Sequence, residues 1–219
     1  TYTAYDVTGD GMKDKIRIRA ANQTDDEAYA SLTVSVNGKT AYRLKNTRFY
    51  NVIANIYTLK NGQPFLYLYA PAENGDGPVC ALLKYTNGKF RKALDFTEIM
   101  AGYGDHRIGE VTNLNGNKIV ITESIVSYSL GINAINFTYE YVNGKFVPTS
   151  RYGSYKEIYS ADGSSRYFTV NSDLPVYTRP GATAVNTTLK TGSLTKIIKC
   201  ALINGKMYIQ LECDGEIYW

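Results

Sequence analysis

The sequence holds a single histidine, His106, and a single tryptophan, Trp219, in 219 residues. One imidazole excludes a zinc centre built on several histidines, and it excludes a paired imidazole acid and base. Cysteine is equally scarce: Cys80, Cys200 and Cys213 are too few, and odd in number, for the dense framework of a disulfide-stapled domain. No apolar run approaches the ~20 residues that a membrane-spanning helix needs. Charged residues make up only 20% and are mixed in sign, with a formal net charge of +4, so no basic block is available to track a nucleic-acid backbone. The chain starts at Thr1-Tyr2 without Met and without a charged-then-apolar leader. That start suggests a mature, extracellular or surface-attached form from which a signal has been removed.

What abounds is tyrosine. Twenty Tyr stand against seven Phe, a bias of half-buried strands, in which the ring packs and the hydroxyl reaches water. With 44% hydrophobic residues the chain can bury a real core. Asn-Gly-Lys occurs at Asn37, Asn87, Asn143 and Asn204, each time between alternating apolar and polar residues. This predicts type I′ hairpin turns, whose two central residues need the positive φ that Gly takes freely and Asn tolerates. Recurring every ~50–60 residues, the turns mark repeated supersecondary units.

A second strand, polar turn, strand pattern precedes each of the first three copies: TAYDVTGDGMKDKIRIRA, IANIYTLKNGQPFLYLYA and IGEVTNLNGNKIVITES. Each unit therefore supplies about four short strands, the anatomy of a propeller blade. The expected fold is all-β and propeller-like, with blade-type units at about 1–48, 49–103 and 104–152, a linker at 153–167 and a small barrel at 168–219. Closure is open between an incomplete propeller, closure by the remaining residues, and a different sandwich. One helical turn is expected at Asp95–Met100, capped by Asp95 or Thr97. With Asn204-Gly205 as a turn, Cys200 faces Ile209 and Cys213 faces Lys196, which separates the two sulfurs beyond disulfide reach and predicts buried free thiols.

The stretch Asp6-Val7-Thr8-Gly9-Asp10-Gly11-Met12-Lys13-Asp14 places oxygen side chains at alternate positions of a short loop, with Gly11 allowing a sharp turn. Hard cations such as Ca²⁺ take ligands of this kind. Arg17 stands where an EF-hand needs its bidentate carboxylate, and the flanks read as strands. The loop resembles the FG-GAP/VCBS-type repeat of integrin propellers and bacterial surface proteins. That resemblance implies a structural Ca²⁺ held by the side chains of Asp6, Thr8, Asp10 and Asp14 and by the Met12 carbonyl. The alternative is a plain Asp/Gly turn whose side chains cap backbone N–H groups. Corresponding turns of the second and third units lack the acidic set, and Glu73–Gly77 has the composition but not the spacing, so it reads as a solvated hairpin loop.

From Phe168 onward, a Leu174-Pro175-Val176-Tyr177 arm, Leu189-Lys190-Thr191-Gly192, a central hairpin and Gly215-Glu216-Ile217-Tyr218-Trp219 follow one another. This order resembles the bacterial Src-homology-3-like domain. The resemblance implies a small β-barrel that binds cell-wall peptides or serves in packing, with Tyr177, Tyr208, Tyr218 and Trp219 as a candidate groove; the alternative is that these rings form the barrel core. His106 lies in Gly-Asp-His-Arg without a nucleophile-elbow pattern, and Glu98, Glu110, Glu123 and Glu140 sit in no signature context. The reading is a non-catalytic, secreted or cell-surface bacterial binding or adhesion module. Its expected partners are a cell-wall peptide or glycan or another surface protein, with no nucleic acid and no membrane span. A cell-wall hydrolase or its accessory subunit is the alternative.

Overall fold

The Asn-Gly steps turn as their chemistry requires. Asn37, Asn87, Asn143 and Asn204 all take φ of 50° or 51°, and Gly38, Gly88 and Gly144 follow at 80°, 78° and 86°. The structure, a computed structural model, describes all residues except 25, 74–76, 100–107, 128–129, 160–165 and 205, and all side chains but those and 108, 125–127 and 157–159. Residues 102–106, including His106, and most of the Glu73–Gly77 loop therefore lie outside the described residues.

The architecture is all-β with antiparallel sheets. Strands β1 (Ile16–Gln23), β2 (Tyr29–Val36) and β3 (Lys39–Phe49) form the first sheet, and Tyr2 bridges to Ile16. Strands β4 (Ile53–Thr58), β5 (Pro64–Ala70), β6 (Val79–Thr86) and β7 (Lys89–Asp95) form a four-stranded meander. The helical turn α1 (Phe96–Ile99) follows, with Asp95 as its cap: the carboxylate accepts the Thr97 N–H at 3.2 Å and the Thr97 hydroxyl at 2.8 Å. Then come β8 (Ile108–Asn115), β9 (Lys118–Ser127), β10 (Gly131–Val142) and β11 (Lys145–Pro148), the third run of four strands, in which β11 pairs with β10.

The rest comprises β12 (Tyr152–Tyr159), β13 (Tyr167–Thr169), β14 (Leu174–Val176), β15 (Thr187–Leu189), β16 (Leu194–Ile203), β17 (Lys206–Cys213) and β18 (Glu216–Tyr218). One long sheet runs β18-β17-β16-β12-β10-β9-β8, with β13 also on β16, while β14 and β15 pair separately. Among the described residues no sheet closes into a barrel. The stretch from 153, read as a linker, begins as strand β12. It pairs with both β10 and β16, and those ladders satisfy backbone groups that a linker would leave to water. In the last hairpin Cys200 does face Ile209, but Lys196 faces Glu212 rather than Cys213, because a bulge between Ile197 and Lys199 adds a residue. All three cysteines are free and buried.

Two compact units result: Thr1–Glu98 with Asn113–Ile119 and Glu140–Val147, and Ile99–Thr112 with Val120–Tyr139 and Pro148–Trp219. In the first unit, Ile16, Leu32, Val34 and Phe49 join Leu66, Leu68, Ala81 and Leu83 in one buried cluster. Strand β5 is buried along its whole length, since its odd positions pack too: Phe65 meets Tyr141 and Phe146 at 5.0 Å, and Tyr67 meets Phe96 at 5.8 Å. In the second unit Ile121, Ile135, Phe137 and Tyr155 are buried on β9, β10 and β12, and Val170, Val176, Leu189, Leu211 and Cys213 form a separate cluster.

Gly153 lies against the Phe137 side of β10, where an added Cβ would come within 2.5 Å of the Phe137 ring and 2.8 Å of Ile135. Gly153→Ala should therefore lower stability by about 1–3 kcal/mol in denaturant titration. Ser154→Ala, next in the strand and exposed, should stay within about 0.5 kcal/mol of the parent. Equal effects of the two would show that β12 does not press on Phe137.

Candidate functional site

The acidic loop is built around two carboxylates. Asp14, only 2% exposed, accepts the N–H groups of Val7 and Thr8 on Oδ2 at 2.7 and 2.9 Å. Its Oδ1 accepts the Asn37 side-chain amide at 2.5 Å and faces the Thr8 hydroxyl at 3.4 Å. Asp6 takes the N–H of Gly9 on Oδ1 at 2.6 Å and that of Gly11 on Oδ2 at 2.7 Å, and the Thr8 hydroxyl lies 3.3 Å from its Oδ1. Gly9 and Gly11 hold φ of 79° and 86°, which is why glycine stands at both places. Asp10 turns back onto the Met12 N–H at 2.8 Å, and Met12 is exposed.

The donor set is all oxygen, which suits a hard cation. A carboxylate offers about four acceptor positions, and three of those of Asp14 are met by the Val7 and Thr8 N–H groups and the Asn37 amide, while the one Thr8 hydroxyl proton lies between Asp14 and Asp6. Among the described residues no group of three or more His, Cys, Asp or Glu side chains is arranged to hold a metal ion. Room for a cation is therefore confined to the exposed Asp6 and Asp10. Burial raises the Asp6 carboxyl, but the N–H groups of Gly11 and Gly9, the Thr8 hydroxyl and the Asp10 backbone outweigh it and hold the group below its ordinary value.

The four candidate groove residues divide. Tyr177, Tyr208 and Trp219 line an apolar cavity of about 530 Å³ together with Phe168, Met207 and Leu211. Tyr218 instead packs against the Val170–Leu211 cluster. Tyr177 and Trp219 exchange backbone hydrogen bonds, Tyr177 N–H to Trp219 carbonyl at 2.6 Å and the reverse at 2.8 Å, which ties the chain after β14 to the end of β18. Sequence reasoning missed the aromatic and cationic group of Arg151, Tyr152 and Lys199 next to Trp219. Its only signal in the sequence is the density of Tyr and Ser around 152, at the boundary between the third unit and the expected linker.

The carboxylates weighed for hydrolysis are dispersed in character. Glu98 is exposed on α1, Glu110 is exposed and pairs with Lys156 at 3.8 Å, and Glu140 is half-buried on β10. Glu123 is fully buried; burial and its charge push the Tyr139 hydroxyl up to about 12. No protein-family model, curated protein or solved structure matches the chain.

Asp14→Ala removes the partner of two loop N–H groups and should cost about 1–3 kcal/mol for each that is left unpaired, read as a lower denaturation midpoint. The lowered Asp6 group contributes stability that is full above its unfolded value near ~3.9 and is lost as pH falls through its folded value. Asp6→Asn should flatten that part of the acid limb in a pH series of melting curves. An unchanged acid limb would mean that the loop N–H groups do not favour the ionised form.

Proposed function

We propose that the protein is a non-catalytic, secreted or cell-surface binding module whose C-terminal part takes an extended peptide. The observation that carries this reading is the cavity beneath Tyr177, Tyr208 and Trp219, since aromatic-lined grooves accept extended peptides at low entropic cost. Support for a Src-homology-3-like arrangement comes from the order β13-β16-β17-β18 with the Tyr177–Trp219 backbone exchange leading to β14 and β15. Support for FG-GAP-like blades comes from three successive four-stranded runs, the first counted with the Tyr2 bridge. A cell-wall peptide is the ligand this reading assigns.

Trp219 is the sole tryptophan, so its emission reports the groove directly. Titration with a synthetic cell-wall stem peptide should give a saturable change in emission that Tyr208→Ala abolishes while the fold, followed by circular dichroism, persists. A flat titration of the intact chain would overturn the assignment.

In the same reading the Asp6–Asp14 loop takes Ca²⁺ as a structural ion at Asp6 and Asp10, with the Thr8 hydroxyl and the Met12 carbonyl completing the set, while Asp14, expected as a fifth ligand, holds the turn through the Val7, Thr8 and Asn37 donors instead. Because N–H donors compete for these oxygens, the affinity falls in the weak range of extracellular modules, roughly 10⁻⁴–10⁻³ M. Millimolar Ca²⁺ should raise the melting temperature above that in chelator, as a ligand of the folded state must. Equal melting temperatures would leave the loop as a self-capped turn.

A further inference from the structure

Strands β10, β12 and β16 turn one face towards the core and the other outwards. Ile135, Phe137, Tyr155 and Cys200 are buried, whereas Asn136, Thr138, Tyr152, Ser154 and Lys199 are half-buried or exposed. Asn136 stands opposite Ser154 in the β10–β12 ladder, and Gly153 stands opposite Cys200 in the β12–β16 ladder, with Lys199 the next residue. On this outer face a cavity of about 390 Å³ has Asn136, Thr138, Thr149, Tyr152, Ser154 and Lys199 in its lining. Amides, hydroxyls and one ammonium are its polar groups.

Tyr152 gathers two cations. The Lys199 ammonium lies 4.6 Å from the Tyr152 ring centroid and 5.9 Å from that of Trp219. The Arg151 guanidinium lies 5.1 Å from the Tyr152 centroid and donates to its hydroxyl at 3.1 Å. Tyr152 and Trp219 are themselves 5.9 Å apart. Among the described residues the ion pairs are Arg48–Asp26, Lys92–Asp95, Lys156–Glu110 and Lys190–Asp173, so neither Arg151 nor Lys199 has a carboxylate partner. Two positive groups drawn to one ring repel each other, and the ring quadrupole offsets only part of that. An anion seated beside them relieves the repulsion and gains charge-assisted hydrogen bonds, with the guanidinium fork matched to a carboxylate.

We propose that this face is a binding site for an acidic saccharide, with Arg151 and Lys199 taking the carboxylate and Asn136, Thr138 and Ser154 taking the sugar hydroxyls. A row of short hydroxyl and amide side chains on a rigid sheet offers both donors and acceptors, which a polyhydroxyl ligand uses and a bare anion does not. The site is separate from the groove of Tyr177 and Tyr208, and Trp219 is left out of its test for that reason.

The test is a titration of the full chain with tetragalacturonate, followed by amide resonances of Tyr152, Ser154 and Lys199 and by calorimetry, beside cellotetraose and inorganic phosphate. Tetragalacturonate should bind and perturb these amides. Cellotetraose should bind at least about tenfold more weakly, and Arg151→Gln and Lys199→Gln should each weaken tetragalacturonate about tenfold, the loss of one charge-assisted hydrogen bond. Lys199→Arg should restore most of the binding, and Tyr208→Ala should leave it unchanged, so failure of the peptide groove and failure of this site are told apart. No perturbation by tetragalacturonate, equal binding of cellotetraose, or phosphate binding as tightly as the sugar acid would each overturn the proposal. Far-ultraviolet circular dichroism confirms that each variant is folded before its binding is scored.

Discussion

Positive φ at the Asn-Gly turns is the constraint from which the hairpins take their register. Side chains alternate across a strand, so a slip of one residue would carry Leu32, Val34 and Val36 out of the core and bring their neighbours in. A two-residue turn of fixed geometry prevents that slip, because both central residues are held where few residue types can go. Asn37 has a further task. Its side-chain oxygen accepts the Lys15 N–H at 2.8 Å while its amide donates to Asp14, so the first hairpin turn also anchors the acidic loop. A residue chosen for its backbone conformation thus becomes a side-chain strut.

Burial then differs from strand to strand according to how many neighbours each has. β5 has β4 and β6 beside it and packed rings on its outer face, so both faces are apolar and its sequence reads PFLYLYA without alternation. Tyr67 shows the consequence: burial, with Cys80 beside it, pushes its hydroxyl well above the ordinary range. β12 has neighbours on both edges but packs on only one face. There Gly153 admits Phe137 on the dry side while Tyr152 and Ser154 remain in contact with water. That asymmetry leaves polar groups accessible on rigid backbone, as a binding face requires.

Much of the local structure was legible because it rests on short-range chemistry. The turns at Asn37, Asn87 and Asn143, the strands that flank them and the Asp95 cap follow from residues a few positions apart. What depends on distant pairing was not legible. β12 hid in a Tyr-, Ser- and Gly-rich stretch because its partners lie on β10 and β16, and the bulge beside Ile198 shifted Lys196 by one residue from its expected partner. For the candidate site, short motifs pointed to Tyr177, Tyr208 and Trp219, which line one cavity, and to Tyr218, which does not line it and packs, partly buried, against the Val170–Leu211 cluster. Arg151 adjoins Tyr152 in the sequence, but Lys199 reaches the same ring only through the β12–β16 pairing, so no local pattern links the two cations.

The acidic loop illustrates how the same residues serve two chemistries. A short Asp- and Gly-rich turn that binds a cation and one that caps itself need the same components: oxygens at alternate positions and glycine where φ is positive. They differ in what fills the carboxylate lone pairs. Asp14 is buried with N–H and amide donors around it, so it needs no cation to offset its desolvation, and the loop is ordered by its own hydrogen bonds. A cation arriving at Asp6 and Asp10 adds to a turn that is already formed. In the proposed reading its binding free energy would then be a modest increment to folding rather than the condition for it.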